Sequence, residues 1–336
     1  MSAADACAGI LLAGVILYAL FGGADFGAGF WDLIAGGDVR GRQPRALIDR
    51  AIAPVWEANH VWLIFVLVVM WTAFPSAYSS ILSTLFIPFS LAALGIVMRG
   101  ASFAFRKASV RLGVQRAFGA IFALSSVLTP FFLGAALGGI ASERVPEGNA
   151  AGDFVTSWAN PASAMVGALS VAVCAYLAAV YLIGDSRRVG DEAMERYFTR
   201  RALAAGVATG ALALAGILVL RDQAEYVYDR LIHEALPLVL VSAVCGIAML
   251  VLLALGRPVG TRLLGAGAVT TVLVAWGVAQ WPYMLPQTLT VDDAAATSTT
   301  LHWVIVVFGI AVVVVVPLLA LLYVLDQRSR LEEESG

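Results

Sequence analysis

Charged residues are scarce in this chain of 336 residues: only 13% are Asp, Glu, Lys or Arg, and 60% are hydrophobic. Soluble domains carry roughly twice that charged fraction. The mean hydropathy of +0.88 is likewise far from the balance of a soluble protein. The scarcity of charge therefore excludes an ordinary soluble enzyme and predicts a polytopic membrane protein.

Cysteine and histidine are also rare, with three of each. The cysteines Cys7, Cys174 and Cys245 stand singly in apolar runs without CxxC spacing, so we interpret them as small buried hydrophobic residues. Three histidines are too few to hold several haems by bis-histidine ligation. A single haem on His60 is an alternative, although a lone histidine in a Trp-rich helix more often serves as a hydrogen-bonding residue.

Several catalytic motifs are missing. The chain has no Walker loop, no GxGxxG after a strand, no HExxH and no Ser or Cys nucleophile at a telling distance from a histidine. We therefore expect no catalytic residue and no metal ligand in this chain. The N-terminus carries Asp5 where a secretory signal would carry a basic residue, so the first apolar run is predicted to be a retained span.

Apolar runs of about 20 residues predict an all-α protein with about nine membrane-spanning helices. The predicted spans are 7–31, 52–72, 76–105, 114–140, 158–183, 202–220, 236–255, 263–283 and 301–325. Four spans precede the fifth and four follow it, which favours two four-helix bundles. We predict one bundle at residues 1–150 and one at 201–336, joined by a connecting span and a cytoplasmic surface segment at 151–200.

The distribution of arginine predicts the orientation in the membrane. Basic residues cluster after spans one, three, five and seven and at the end of the chain, whereas the opposite side receives only Arg144, Arg221 and Arg230. The N-terminus is therefore predicted to lie outside and the C-terminus in the cytoplasm. An odd number of spans requires the same arrangement.

Polar residues interrupt the second apolar run in the segment WEANHVW at residues 56–62. A charge inside a bilayer helix costs roughly 2.5 to 3.5 kcal/mol, so Glu57 needs a functional explanation. On a helix Glu57 shares a face with His60, and Trp56 shares another with Asn59 and His60, so one face is suited to carry protons while another packs. The alternative is an interfacial cluster that anchors a helix end.

Three charged residues fall at one depth in the first three spans. At 1.5 Å per residue, Asp25, Glu57 and Arg99 lie about 8 to 9 Å from the predicted cytoplasmic ends. Pairing would offset part of their desolvation, so they form either a salt bridge that fixes three helices or a route for protons or ions. A stripe of small residues that includes Gly22 and Gly29 also lets another backbone approach the first span closely.

Motifs distributed over nearly the whole chain carry a family resemblance. They are GGADFGAG at residues 22–29, PVWEANHVWLI at 54–64, Arg99, Asn160-Pro161, YMLP at 283–286 and Leu289-Thr290. Together they resemble subunit II of the cytochrome bd type quinol oxidases. The family pattern Asp-Gly-Phe-Asp is altered at Gly22 and Ala24, and Glu57 stands where Asp is usual. The departures in these two motifs resemble the cyanide-insensitive branch of the family.

The resemblance implies a chain without haem, paired with a subunit I that holds b-type and d-type haems and the quinol site. Such a complex reduces O2 to water in the bacterial inner membrane, among membrane lipids, sometimes with small accessory subunits or a structural quinone in subunit II. By position, Glu57 matches the proton-conducting acid, Asp25 the second acid of the first motif, and Trp62 the tryptophan beside the oxygen route. No nucleic acid partner is expected.

Two rival classes remain at this point. A secondary transporter should show matched helix breaks in both halves, but here the intramembrane charges fall only in the first half. A membrane haem protein acting alone would need more internal histidines.

Overall fold

The computed structural model describes residues 2–37, 39–52, 56–108 and 112–327. Its helices are α1 (Ala3–Leu33), α2 (Arg42–Ile52), α3 (Trp56–Ala73), α4 (Pro75–Thr84), α5 (Phe86–Ala108), α6 (Leu112–Ala141), α7 (Pro161–Arg188), α8 (Glu192–Gln223), α9 (Glu225–His233), α10 (Leu236–Ala254), α11 (Thr261–Gln280), α12 (Val291–Ala294) and α13 (Ser298–Gln327). An antiparallel pair of short strands, β1 (Tyr283–Leu285) and β2 (Leu289–Thr290), lies between α11 and α12.

Helices long and apolar enough to cross a membrane dominate the structure. Eight of the described helices meet this criterion, namely α1, α5, α6, α7, α8, α10, α11 and α13. The prediction of an all-α polytopic membrane protein is therefore confirmed. A shorter apolar stretch, Asn59–Ala73, belongs to α3, so the count of nine spans stays a prediction.

Side-chain caps set the beginnings of two central helices. Ser2 and Asp5 form a capping box at the start of α1, in which each side chain accepts from the other residue's backbone N–H. Asn160 caps α7 by accepting a hydrogen bond from the Ser163 N–H at 2.9 Å, and Pro161 follows at the first helical position. The local sequence alone explains both starts.

The third predicted span, at residues 76–105, is interrupted. α4 ends at Thr84 and α5 begins at Phe86, with Leu85 between them. Pro88 lacks the backbone N–H that would bond to the Thr84 carbonyl in a continuous helix. Of the two pieces, only α5 is long enough to span a membrane.

α1 lies at the centre of the protein, in contact with α3, α6 and α7. Glycines allow this packing: a Cβ at Gly27 would lie 1.8 Å from the Cys174 carbonyl oxygen, and one at Gly29 would lie 2.2 Å from Ser126 Oγ. Gly22 on the predicted stripe instead faces a side chain of its own helix. The largest buried apolar cluster surrounds these contacts between α1, α6, α7 and α8.

A short turn joins α7 to α8. Residues 185–201, predicted as part of a surface segment, form the end of α7, a turn at Gly190 with φ of +70°, and the first turns of α8. Asp191 caps α8 by accepting from the Met194 N–H at 3.0 Å. The basic residues of this segment therefore lie on helix ends.

The last helix packs in an unexpected place. The predicted second bundle at 201–336 groups α13 with α8, α10 and α11, but its main neighbours in the structure are α1 and α3. Hydrogen bonds explain the path, since the Ala296 N–H donates to the Ala73 carbonyl at 2.8 Å and the Ser76 hydroxyl to the Ala294 carbonyl at 3.4 Å. They hold the start of α13 at the corner between α3 and α4.

Candidate functional site

An ion pair between α1 and α5 lies in the interior of the protein. Arg99 is 1% exposed and Asp25 is 5% exposed. Arg99 Nη2 donates to Asp25 Oδ1 at 2.6 Å and Nη1 donates to Oδ2 at 2.8 Å, with a further bond from Nη2 to the Asp25 carbonyl at 3.2 Å. The two planar groups thus meet in the bidentate geometry that makes Arg–carboxylate pairs strong.

Further contacts hold the Arg99 guanidinium in place. Its Nε donates to Ser126 Oγ on α6 at 2.9 Å, and that hydroxyl donates to the Phe122 carbonyl at 2.7 Å. The guanidinium carbon lies 5.2 Å from the ring centre of Phe26 and 4.8 Å from that of Phe122. One cation therefore joins α1, α5 and α6.

Aromatic and polar side chains of α1 and α3 extend this site. The His60 ring lies 6.0 Å from the Phe26 ring and 6.4 Å from the Tyr18 ring. The Tyr18 hydroxyl is buried without a hydrogen-bond partner among the described residues. Asn59, the neighbour of His60, is 7% exposed. The polar segment of α3 thus meets α1 beside the ion pair.

The structure brings some of the predicted site residues together and does not describe the side chains of others. The structure brings Asp25 and Arg99 together and puts His60 against Phe26, the residue after Asp25. The side chains of Trp56 and Glu57 lie outside the described ones. Trp62 is half-buried, and its ring lies 6.2 Å from the Phe65 ring, which contacts Phe308 of α13.

A second ion pair was not anticipated from the sequence. Arg45 Nε lies 2.6 Å from Asp32 Oδ1, and its Nη2 donates to the Gly36 carbonyl at 2.7 Å. Asp32 is 4% exposed and occurs seven residues after Asp25, on the same face of α1. That spacing on one face of α1 is a signal present in the sequence, whereas the basic residues after the first span serve there only to predict the orientation. The pair fixes the start of α2 against the end of α1.

Among the described residues, no three His, Cys, Asp or Glu side chains gather as a metal site would require. His233 and His302 each place Nδ1 within hydrogen-bond distance of a backbone carbonyl in their own helices, at 2.7 and 2.6 Å. Both are at helix ends, far along the chain from the ion pair.

The fold and the site together define a multi-pass membrane protein with an ionisable site buried among its spanning helices. Comparison with known families makes the class specific: the profile of the cytochrome bd terminal oxidase subunit II family matches residues 4–326. The chain belongs to this family. It is therefore a subunit of an oxidoreductase complex in the inner membrane that contains another oxidase subunit, and nothing supports the alternative of a secondary transporter.

Relatives from several bacteria share this similarity. The chain is 22% identical over 315 residues to the putative cytochrome bd menaquinol oxidase subunit II of Bacillus subtilis strain 168, covering 90% of this chain and 89% of that one. It is 24% identical over 342 residues to the cytochrome bd-I ubiquinol oxidase subunit 2 of Escherichia coli strain K12, covering 88% of each.

Two further matches differ in extent. The cytochrome bd ubiquinol oxidase subunit 2 of B. subtilis is 32% identical over 112 residues, and this match spans only 32% of that relative's length. The bd oxidase structure from Geobacillus thermodenitrificans matches with a TM-score of 0.78 at 25% identity, covering 96% of this chain and 98% of that one. The resemblance seen in the sequence motifs is thus confirmed at the level of the family and the fold.

Proposed function

We propose that this chain supplies part of the route by which protons reach the oxygen-reducing centre of a quinol oxidase. Reduction of one O2 to two waters consumes four electrons and four protons, and the protons must cross an apolar layer. The observation that carries the proposal is the buried Asp25–Arg99 pair, with His60 and Tyr18 beside it. Ionisable groups at such depth are costly and mark ion or proton pathways in membrane proteins.

In this proposal each residue has a role in proton transfer or packing that follows from its chemistry. Arginine stays protonated in proteins, so Arg99 stabilises a negative charge but does not pass protons on. Carboxylates can both take and give a proton, which suits Asp25 and Glu57, the latter at the second position of α3. Asn59 and Trp56 would pack the motif, together with His60.

The proposal extends to the partners of the chain. Two relatives are named as ubiquinol oxidase subunits and one as a menaquinol oxidase subunit, which supports quinol and O2 as substrates of the complex. The b-type and d-type haems would lie in the partner subunit I, and Trp62 would line the access of oxygen. Small accessory subunits and a structural quinone in this chain belong to the same proposal.

Glu57→Gln is the decisive variant, because it removes the ionisable proton while keeping the size of the side chain. We expect the assembled complex to keep its haem content and to consume oxygen at least tenfold more slowly with quinol in excess. Glu57→Asp, which keeps the carboxylate, is the matched control and should retain part of the rate. Flash-initiated proton uptake should slow in parallel with turnover.

The other outcomes are informative. Normal oxygen consumption and normal proton uptake in an assembled Glu57→Gln complex would overturn the relay and leave Glu57 as a packing residue. If most of the Glu57→Gln protein fails to assemble, but the complexes that do assemble show normal turnover per haem, then the role of Glu57 is purely structural.

We also propose an outward N-terminus and a cytoplasmic C-terminus, supported by the arginine distribution. Val259 and Val155 are matched test positions, since both are exposed valines in loops predicted on opposite sides. With Cys245 replaced by serine, Val155→Cys should react with an impermeant thiol reagent in intact spheroplasts and Val259→Cys should not. The reverse labelling pattern would overturn the orientation.

A further inference from the structure

A cavity of about 180 Å³ lies away from the ion pair, where the C-terminal end of α7 meets the turn before α11. Its walls include Gly184 and Arg187 on one side and Pro258, Thr261 and Arg262 on the other. Because two candidate spanning helices have an end here, the cavity lies at the level of a membrane surface.

Arg262 is fixed in the wall of this cavity. A Cβ at Gly184 would lie 2.6 Å from Arg262 Cζ, so the guanidinium rests directly on the α7 backbone. Its Nη2 donates to the Tyr181 carbonyl at 2.5 Å and to Asp185 Oδ1 at 2.7 Å. Its Nε is buried without a hydrogen-bond partner among the described residues. Two acceptors on α7 thus fix the positive charge of Arg262 in the wall of the cavity.

The charges around the cavity are not balanced. Asp185 Oδ1 accepts from both Arg262 and Arg188, at 2.7 and 3.0 Å. Arg187 Nε lies 3.5 Å from the Glu195 carboxylate, a long contact between partly exposed groups. Arg187 and Arg262 are the charged residues among those that line the cavity, and this positive lining favours an anionic ligand.

Apolar side chains continue the same surface. Leu263 lines the cavity and is 81% exposed. Val180 and Ile183 form part of the wall. A cationic recess beside exposed apolar side chains at a membrane surface is the arrangement that receives a phosphate group with attached acyl chains. The start of α11 agrees with this, because Gly260 precedes it without a side-chain cap.

We propose that this cavity binds the phosphate of an anionic phospholipid headgroup, contacted by Arg187 and Arg262. The lipid would join the end of α7 to the start of α11. The proposal is independent of the proton route, because neither its residues nor its test involves the Asp25–Arg99 site.

The test is retention of phosphatidylglycerol by the purified oxidase complex. The complex is reconstituted in nanodiscs of phosphatidylcholine with a minor fraction of phosphatidylglycerol, transferred to detergent, and examined by native mass spectrometry. Arg187→Gln and Arg262→Gln should each lower retention about fivefold, the effect of one arginine on an anionic lipid. Arg257→Gln is the matched control, because Arg257 lies in the same turn but does not line the cavity.

The variants also separate folding from binding. Arg187→Gln keeps both contacts of Arg262, so this variant should still assemble. If the Arg187→Gln complex has the native subunit stoichiometry but retains less phosphatidylglycerol, the site is supported even if Arg262→Gln fails to assemble. Equal retention in Arg187→Gln, Arg257→Gln and the native complex would overturn the proposal. A second arm adds inorganic phosphate at millimolar concentration: if phosphate binds in a manner that depends on Arg187 while phosphatidylglycerol retention does not depend on it, the site takes a soluble anion and the lipid assignment is wrong.

Discussion

Arg99 and Asp25 meet through two parallel hydrogen bonds of 2.6 and 2.8 Å, with both side chains almost completely excluded from solvent. The same guanidinium also donates to Ser126 of a third helix. Because one side chain joins three helices, loss of the ion pair should also destabilise the packing of these helices.

Removal of Arg99 should therefore be more harmful than removal of the whole pair. Arg99→Gln leaves the Asp25 carboxylate buried without its counter-charge, and breaking a buried pair in this way costs about 3 to 5 kcal/mol. We expect a low yield of assembled complex and a lower thermal unfolding midpoint. Size-exclusion chromatography and a thermal shift assay on the complex measure both.

The double variant Asp25→Asn/Arg99→Gln is the control for this prediction. It removes both charges at once, so it should recover a substantial part of the lost stability; if Asp25 belongs to the proposed proton route, its proton uptake should remain impaired. If Arg99→Gln alone were as stable as the native complex, the pair would have no structural role.

Glycines in α1 provide a second prediction. Gly27→Ala would place a Cβ 1.8 Å from the Cys174 carbonyl oxygen, so α1 and α7 must move apart. Overpacking of this kind costs about 1 to 3 kcal/mol. Gly9→Ala is the control in the same helix, because nothing lies within 4 Å of the added Cβ. It should leave the unfolding midpoint unchanged or slightly raised, and equal effects of the two variants would contradict the packing described here.

The meeting of Asp25 with Arg99 could be predicted because a bilayer restricts where charges lie. From the predicted span ends, the rise of 1.5 Å per residue puts Asp25, Glu57 and Arg99 at one depth, and the cost of isolated charge favours pairing among them without deciding between a salt bridge and a proton route. The rotation of each helix about its axis was not accessible in this way. The contacts of Arg99 with Ser126 and Phe122 therefore emerged only from the structure.

Two features could not be predicted from apolar runs, namely the break at Leu85 and the position of α13. A run of about 20 apolar residues looks the same whether one helix or two make it up, so the break at Leu85 was missed although Pro88 is its local cause. The position of α13 depends on hydrogen bonds such as that between Ala296 and Ala73, which are 223 residues apart. No local pattern encodes such a contact.

Asp191 provides a prediction on pH dependence. The Met194 N–H, and then the Gln43 amide, hold the pKa of the Asp191 carboxyl below its usual value. Since the folded pKa lies below the unfolded value of about 3.9, the stabilisation is complete above about pH 5 and is lost as the pH falls through the folded value.

Asp191→Ala should therefore destabilise the complex by about 0.5 to 1 kcal/mol at pH 7, and the difference from the native complex should shrink below about pH 4. Asp191→Asn keeps an oxygen that can cap α8 and should lose only the part that depends on ionisation. Thermal midpoints at several pH values measure the effect. An Asp191→Ala difference that grows as the pH falls would contradict the assigned direction of the pKa shift.

Ser126 offers the sharpest test of how Arg99 is held. The adjacent serines Ser125 and Ser126 are both buried on α6 and both donate to the Phe122 carbonyl, but only Ser126 accepts from Arg99 Nε. Ser126→Ala leaves that buried donor without an acceptor, which costs about 1 to 3 kcal/mol. Ser125→Ala removes a hydroxyl at the neighbouring position and should change the unfolding midpoint much less.

The same two variants test proton uptake. If the Asp25 carboxylate is a relay, the less constrained guanidinium of the Ser126→Ala complex should also alter the rate of proton uptake, whereas the uptake rate of the Ser125→Ala complex should match that of the native complex. Equal midpoints and equal uptake rates for the two variants would show that the bond to Ser126 contributes nothing to the position of Arg99.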